Sequence, residues 1–376
     1  MTGIAKLLCE LIALPSVNPA FLPANDPRTG EARVAEHLAQ LGRSLGFSAE
    51  FAEALPGRAN LLLRLAPAGR VKHRVLLAPH LDTVPPANDG QLQPALRNGR
   101  IYGRGACDTK GCVAAMFSAM RDVAGRKKRP QQTEIVLAAL IDEENGQRGS
   151  RALAASGLKA DFAIVGEPTR LRVVTAHKGD LWLKFVTRGR AAHGSEPYHG
   201  VNAVLAMARV VELLETTYAA QLRKRLHPLL GSGTINVGAI HGGTQANIVP
   251  DHCEMIADRR TLPGETLATV RTELRALFKK HRLEAELVDT KDAPCVALET
   301  DPQHPHVQQL LRTVGQTKPA GANFFCDAAI LAAGGIPSVV FGPGDIAQAH
   351  TADEWIEVKQ LEQGARLLSE FLRSLP

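Results

Sequence analysis

Short apolar runs alternate with helix-like segments through the first half of the chain. VLLAPHLDTV reads as a buried strand, a glycine-rich turn follows it, KGCVAAMFSAMRDVAG reads as a helix, and EIVLAALI as another strand. This alternation predicts a mostly parallel central sheet with helices on its faces. From about Gly179 the pattern changes. DLWLKFVTRGRAAH, TINVGAI, DHCEMIADRR and EAELVD read as strands, and NAVLAMARVVELLETTYAAQLRK and TLATVRTELRALFKKH as helices, in the β-α-β-β-α-β order of a ferredoxin-like unit. After Lys291 the α/β character returns, with helices HVQQLLRTVGQ, DAAILAAGG and LEQGARLLSEFLRSL and the strand PSVVFGPG. The expected organisation is an α/β domain built from residues 1–178 and 291–376, with residues 179–290 inserted as a smaller α+β domain.

A chain of 376 residues fits that division, because a single hydrophobic core stops growing near ~250–300 residues. Hydrophobic residues at 45% and charged ones at 22% are the balance of a folded globular protein rather than a disordered one. No apolar run approaches the ~20 residues of a membrane span, and the apolar stretch at the N-terminus is broken by Lys6 and Glu10. No membrane partner is expected. The six cysteines lack paired C-x-x-C spacing, which argues against a disulfide framework or a zinc knuckle and for a reducing, cytoplasmic setting. Lys plus Arg number 44 against 38 Asp plus Glu. The one dense basic run, Arg126–Arg129, has no interleaved aromatics and reads as a solvated helix end or loop, so no nucleic-acid partner is expected.

Against this background several polar groups stand where apolar strand runs end, the place where such sheets gather ligands. In His80-Leu81-Asp82, two residues apart on a strand share a face, so Asp82 can orient the imidazole while its other nitrogen binds a metal. A hydrogen-bonded structural histidine is the plainer reading of the triplet alone. The run GRGACDTKG lacks both the dinucleotide fingerprint and G-x-x-x-x-G-K, which disfavours phosphate binding. Its Asp108 is either a turn-forming residue or a carboxylate shared by cations. Asp142-Glu143-Glu144 concentrates negative charge, either in a solvated loop or against a strong local positive charge. In extended chain one glutamate would bind metal while its neighbour faces a reacting water. Glu167 in GEPT and His350 in AHTADE complete a set of five oxygen or nitrogen ligands with a spare carboxylate.

PHLDTVP, GRGACDTKG, DEENGQRGS, GEPT and AHTADE, in this order, resemble the M20 metallopeptidase family, which includes acetylornithine deacetylases, succinyl-diaminopimelate desuccinylases and carboxypeptidase G2. The resemblance runs from SVNP near the start to the segment around His350. It implies a zinc-peptidase-like catalytic domain and an inserted lid that also makes a homodimer contact. It implies two zinc ions, with cobalt or manganese as alternatives: Asp108 bridges them, His80 and Glu167 complete one site, and Glu144 and His350 the other. Glu143 becomes the general base and Asp82 the orienting carboxylate, with a cis peptide between Asp108 and Thr109. In the lid, His193 would stabilise the oxyanion in the partner subunit's site, and Asn247 and Arg260 would bind substrate. Histidine and arginine are also ordinary on an exposed sheet face. Pro79, Gln147 and Cys326 depart from the residues common at their positions.

The activity this implies is hydrolysis of a linear amide, with removal of an acetyl- or succinyl-type group from a small N-acyl amino acid. A dipeptidase or carboxypeptidase acting on a short peptide is the alternative within the family, and a non-catalytic metal- or ligand-binding protein the alternative outside it. Lid closure about hinges near residues 178 and 291 would complete the site.

Overall fold

The computed structural model describes residues 2–125, 129–289 and 295–376. Most of the Arg126–Arg129 run and the expected hinge at residue 291 thus lie outside the described residues. The chain divides into two compact units, one from Met1–Thr175, Thr300–Ala320 and Cys326–Pro376, the other from Ala176–Glu299 and Gly321–Phe325. The second unit is therefore wider than residues 179–290. The segment Gly321–Phe325 joins it because the Ala322 carbonyl accepts the Lys178 N–H and Gly321 lies so close to the Leu229 carbonyl that a side chain there would collide with it.

In the first unit, neighbouring strands of the sheet are Ser48–Leu55, Arg58–Leu65, Thr133–Ala139, His73–Pro79, Phe162–Gly166 and Ser338–Val340. The last four run parallel, and the two at the edge are antiparallel. Val75, Leu76, Leu77 and Ala78 are all 0% exposed, so both faces of this strand are covered. That explains its unbroken apolar run, where a half-exposed strand would alternate. Burying each large aliphatic side chain stabilises by about 1.5–3 kcal/mol. The helix Lys110–Ala124 packs on the sheet and is itself covered by helices Gly3–Ile12 and Val358–Arg373, which is why nearly all its residues are buried.

The second unit has the strands Gly179–Arg188, Thr234–Gly242, His252–Thr261 and Glu286–Asp289 and two helical segments. Its sheet order is Thr234–Gly242, His252–Thr261, Gly179–Arg188, Glu286–Asp289, antiparallel throughout. The β-α-β-β-α-β reading describes it. Leu181, Leu183 and Phe185 alternate with exposed Trp182 and half-buried Lys184, so one face packs on the helices. The expected long helix has an internal irregularity: Ala203–Leu213 is α-helical, Leu214–Tyr218 forms a π turn, and Ala219–Leu222 resumes. Buried Arg259 is held beside it by both carboxylate oxygens of Glu265, each at 2.8 Å, and by the Tyr218 hydroxyl.

Candidate functional site

Four residues of the candidate set follow the carboxyl ends of three adjacent parallel strands. His80 follows His73–Pro79, Glu143 and Glu144 follow Thr133–Ala139, and Glu167 follows Phe162–Gly166. His350 lies beyond Ser338–Val340 in a loop, with φ +62°. Their registers are level: Pro79 pairs with Gly166, and His80 bridges to Leu140. Parallel pairing is what brings these ends to one edge, since antiparallel neighbours would place half of them at the opposite one.

Asp108 reaches the same edge from the loop that enters helix Lys110–Ala124. Its Oδ1 lies 3.2 Å from His80 Nε2, and its Oδ2 lies 3.3 Å from His350 Nε2. Glu167 Oε1 stands 3.8 Å from His80 Nε2, and Glu144 Oε2 stands 3.1 Å from His350 Nε2. Two groups of three donors thus share Asp108, one oxygen each. Around a four-coordinate zinc with bonds of about 2.0–2.1 Å, ligand atoms stand roughly 3.3 Å apart. Glu144 Oε1 and Glu167 Oε1 are buried and have no hydrogen-bond partner among the described residues, an arrangement that is unfavourable unless a cation satisfies them. The donor set fits two divalent ions.

The electrostatics point the same way. Burial and then the neighbouring carboxylates push Glu143 and Glu167 well above the usual carboxylate range, with His80 opposing. Burial disfavours charge on His80, but hydrogen bonds to Asp108 and Asp82 outweigh it and raise the imidazole well above its ordinary value. Hydrogen bonds to Asp108 and Glu144 push His350 up to about 10. Four carboxylates and two imidazoles held this way demand positive charge, which cations bound to neutral histidines would supply.

Two local arrangements differ from the expected ones. The nearest Asp82 atom to His80 Nδ1 is its backbone carbonyl, at 2.9 Å, with the carboxylate Oδ1 at 3.5 Å. The Asp82 carboxylate also accepts the backbone N–H groups of Glu143 and Glu144, each at 3.1 Å. Glu143 and Glu144 occupy a turn, not extended chain, because Asp142 before them has φ +65°. Gln147, where glycine is common in the family it resembles, has φ +53°, in the left-handed region that glycine tolerates best. The Asp108–Thr109 peptide is cis, as the resemblance implied.

In the second unit, His193 forms a bridge with Ile248, and the Gly194 N–H donates to the Asn247 carbonyl at 2.7 Å, which places the two loops side by side. His193 Nδ1 lies 2.7 Å from the Ser195 hydroxyl. The Arg260 Nε and Nη2 donate to the Asp258 carboxylate at 2.8 Å each, and its guanidinium lies over the Phe325 ring at 5.6 Å.

The sequence reading assigned no role to several groups that shape the metal edge. Glu354 accepts the N–H groups of Gly105, Cys107 and Asp108 and pairs with Arg104 at 2.7 Å. Asp327, pushed up to about 6 chiefly by burial, accepts from the Ser150 hydroxyl at 2.5 Å. Asn18 lies between Asp82 and Asp142. Glu354 falls in the motif AHTADE and Asn18 in SVNP, but only contacts across long sequence separations reveal what they hold.

Residues 76–374 match the model of peptidase family M20/M25/M40. An acetylornithine deacetylase of Vibrio campbellii is 31% identical over 367 residues, covering 94% of each chain. The aminopeptidase PepT of Bacillus cereus superposes with a TM-score of 0.79 at 23% identity, covering 98% of this chain and 97% of that one. A dinuclear metal-binding peptidase of Bacillus subtilis superposes with a TM-score of 0.71 at 10% identity, covering 98% and 96%. The parallel-strand edge, the paired donor groups and the family match over most of the chain converge: this protein belongs to the M20 peptidase family and is a metal-dependent hydrolase of amide or peptide bonds.

Proposed function

We propose that the chain is a dinuclear-zinc amide hydrolase that removes an acetyl- or succinyl-type acyl group from an N-acyl amino acid. The observation that carries the metal reading is the division of Asp108, one oxygen toward His80 and Glu167, the other toward His350 and Glu144. The deacylase reading rests on the curated deacetylase relative at 31% identity. Six free cysteines suit a reducing compartment, and we place the enzyme in the cytoplasm.

Two cations bound to these ligands would polarise the scissile carbonyl and acidify the attacking water. Glu143 takes the proton of that water and returns it to the leaving amine. Burial raises its affinity for a proton, the direction that this exchange requires. Asp82 fixes the turn that carries Glu143 and Glu144 by accepting both backbone N–H groups. The second unit serves as the lid and dimer contact. There His193 stabilises the oxyanion in the partner subunit's site, Asn247 binds substrate, and Arg260 holds the α-carboxylate through the Nη1 that Asp258 leaves free.

The test is a screen of N-acetyl and N-succinyl amino acids and dipeptides on the purified protein with its metal content determined, alongside Glu143→Ala. Replacement of Glu143 should leave bound metal unchanged and lower kcat by about 10²–10⁴-fold, the usual contribution of a positioned acid–base group. Normal turnover in that variant would overturn the mechanism. Turnover of dipeptides alone would move the protein to the peptidase branch.

A further inference from the structure

The turn that carries Glu143 and Glu144 begins at Asp142, a non-glycine residue with φ +65°. Left-handed backbone at such a residue needs support from its surroundings. The Asp142 N–H donates to Glu31 Oε1 at 3.3 Å, and Asp142 Oδ1 accepts Arg58 Nη1 at 3.1 Å. Asp82 supports the other side of the turn by accepting the next two backbone N–H groups. The Asp82 and Asp142 carboxylates are both buried and, as anions, repel each other.

Asn18 joins them. Its Nδ2 donates to Asp82 Oδ2 at 2.7 Å and to Asp142 Oδ1 at 3.0 Å, so one amide group gives a hydrogen to each carboxylate. The donor is itself tightly fixed. Asn18 is 0% exposed, its Oδ1 accepts the Ala20 N–H at 3.0 Å, and its backbone N–H donates to the Thr83 carbonyl at 2.9 Å. Val17 bridges in parallel to Thr83, and the Ser16 hydroxyl donates to the Leu81 carbonyl at 2.7 Å. The segment Ser16–Asn18 is therefore laid along residues 81–83, beside His80 and Asp82.

We propose that Asn18 is a positioning residue of the metal edge: by giving one hydrogen each to Asp82 and Asp142 it fixes the Glu143–Glu144 turn, and so sets metal affinity and turnover without touching substrate. The inference rests on the reading of Glu144 as a metal ligand. An aspartate at this position would keep the shape but put a third carboxylate against two others. Alanine removes both donors, and serine leaves at most one. Groups that orient metal ligands in this indirect way change metal affinity or activity by about 10–100-fold when removed.

The experiment uses the full chain with zinc as the probe and chelator competition as the readout, on Asn18→Ala, Asn18→Ser and Glu144→Ala. Kinetics with the best substrate of the wild type and melting of the metal-free proteins accompany it. One zinc equivalent should bind about 10–100-fold more weakly in Asn18→Ala, kcat should fall in similar proportion, and KM should stay within about twofold. Asn18→Ser should fall between the wild type and alanine. Wild-type zinc affinity in Asn18→Ala overturns the inference, as does a raised KM with unchanged kcat, which would mean contact with substrate. If the alanine variant does not fold, the serine variant decides by the same criterion. Glu144→Ala must lose one zinc equivalent. If it binds zinc as the wild type does, the ligand assignment fails, and that outcome is read independently of Asn18.

Discussion

Glu354 accepts the backbone N–H of Asp108 at 2.9 Å, although the two residues are 246 positions apart in the chain. The strand Trp355–Glu357 pairs antiparallel with Arg100–Tyr102, Trp355 opposite Tyr102, so the residue before one strand meets the loop after the other. The same Glu354 carboxylate takes the N–H groups of Gly105 and Cys107 and the Arg104 guanidinium. It builds the loop that aims both Asp108 oxygens.

Glu354→Ala should therefore destabilise the first unit strongly. It strips three buried N–H groups of their acceptor and a buried guanidinium of its carboxylate partner, and breaking a buried ion pair typically costs about 3–5 kcal/mol. Urea denaturation of the metal-free protein measures this. A loss below about 1 kcal/mol would show that water or a rearranged loop replaces the carboxylate.

Asp108 and His350 should differ in metal stoichiometry. Asp108 faces both groups of donors and His350 only one. Asp108→Ala should lose both equivalents of bound metal and His350→Ala one, by elemental analysis after dialysis. Equal losses in the two variants would contradict a shared carboxylate. Saturating metal should also raise the melting temperature of the wild type, each bound ion adding about 2.7 kcal/mol of stability at a hundredfold excess over its Kd. Asp108→Ala should abolish that gain.

Arg259 should hold the second unit together without taking part in chemistry. It is fully buried, paired with Glu265 and hydrogen-bonded to Tyr218. Arg259→Ala leaves Glu265 and the Tyr218 hydroxyl without this partner and should destabilise by about 3–5 kcal/mol. Hydrogen exchange should locate the loss in the strands Gly179–Arg188 and His252–Thr261, with the first unit protected as before. Faster exchange throughout the chain would mean that the two units unfold as one.

Lys110 gives a pH dependence. Its Nζ donates to the Leu11 and Leu14 carbonyls at 2.9 and 2.7 Å, and burial lowers its pKa from 10.5 to about 7. The folded protein then binds this proton more weakly than the unfolded chain. Stability should rise with pH between about 7 and the unfolded value, by at most about 1.4 kcal/mol per pH unit. Denaturation curves of wild type and Lys110→Met across that window test this, the variant losing the slope. A slope that survives the substitution belongs to another group.

The sequence by itself marked the layers and the candidate donors of the site. Unbroken apolar runs such as VLLA identify strands covered on both faces, and the change of pattern near Gly179 marks a second unit, because burial acts on each residue locally. His80, Asp108, Glu143, Glu144, Glu167 and His350 were legible as donors at strand ends. Tertiary structure decided which atoms meet. Asp82 holds the Glu143–Glu144 turn more directly than the His80 ring, and Gly321–Phe325 belongs to the second unit. Asn18 and Glu354 support residues 64 and 246 positions away. Hydrogen bonds depend on direction to within tenths of an ångström, and the periodicity of a chain carries no information at that scale about segments that meet only after folding.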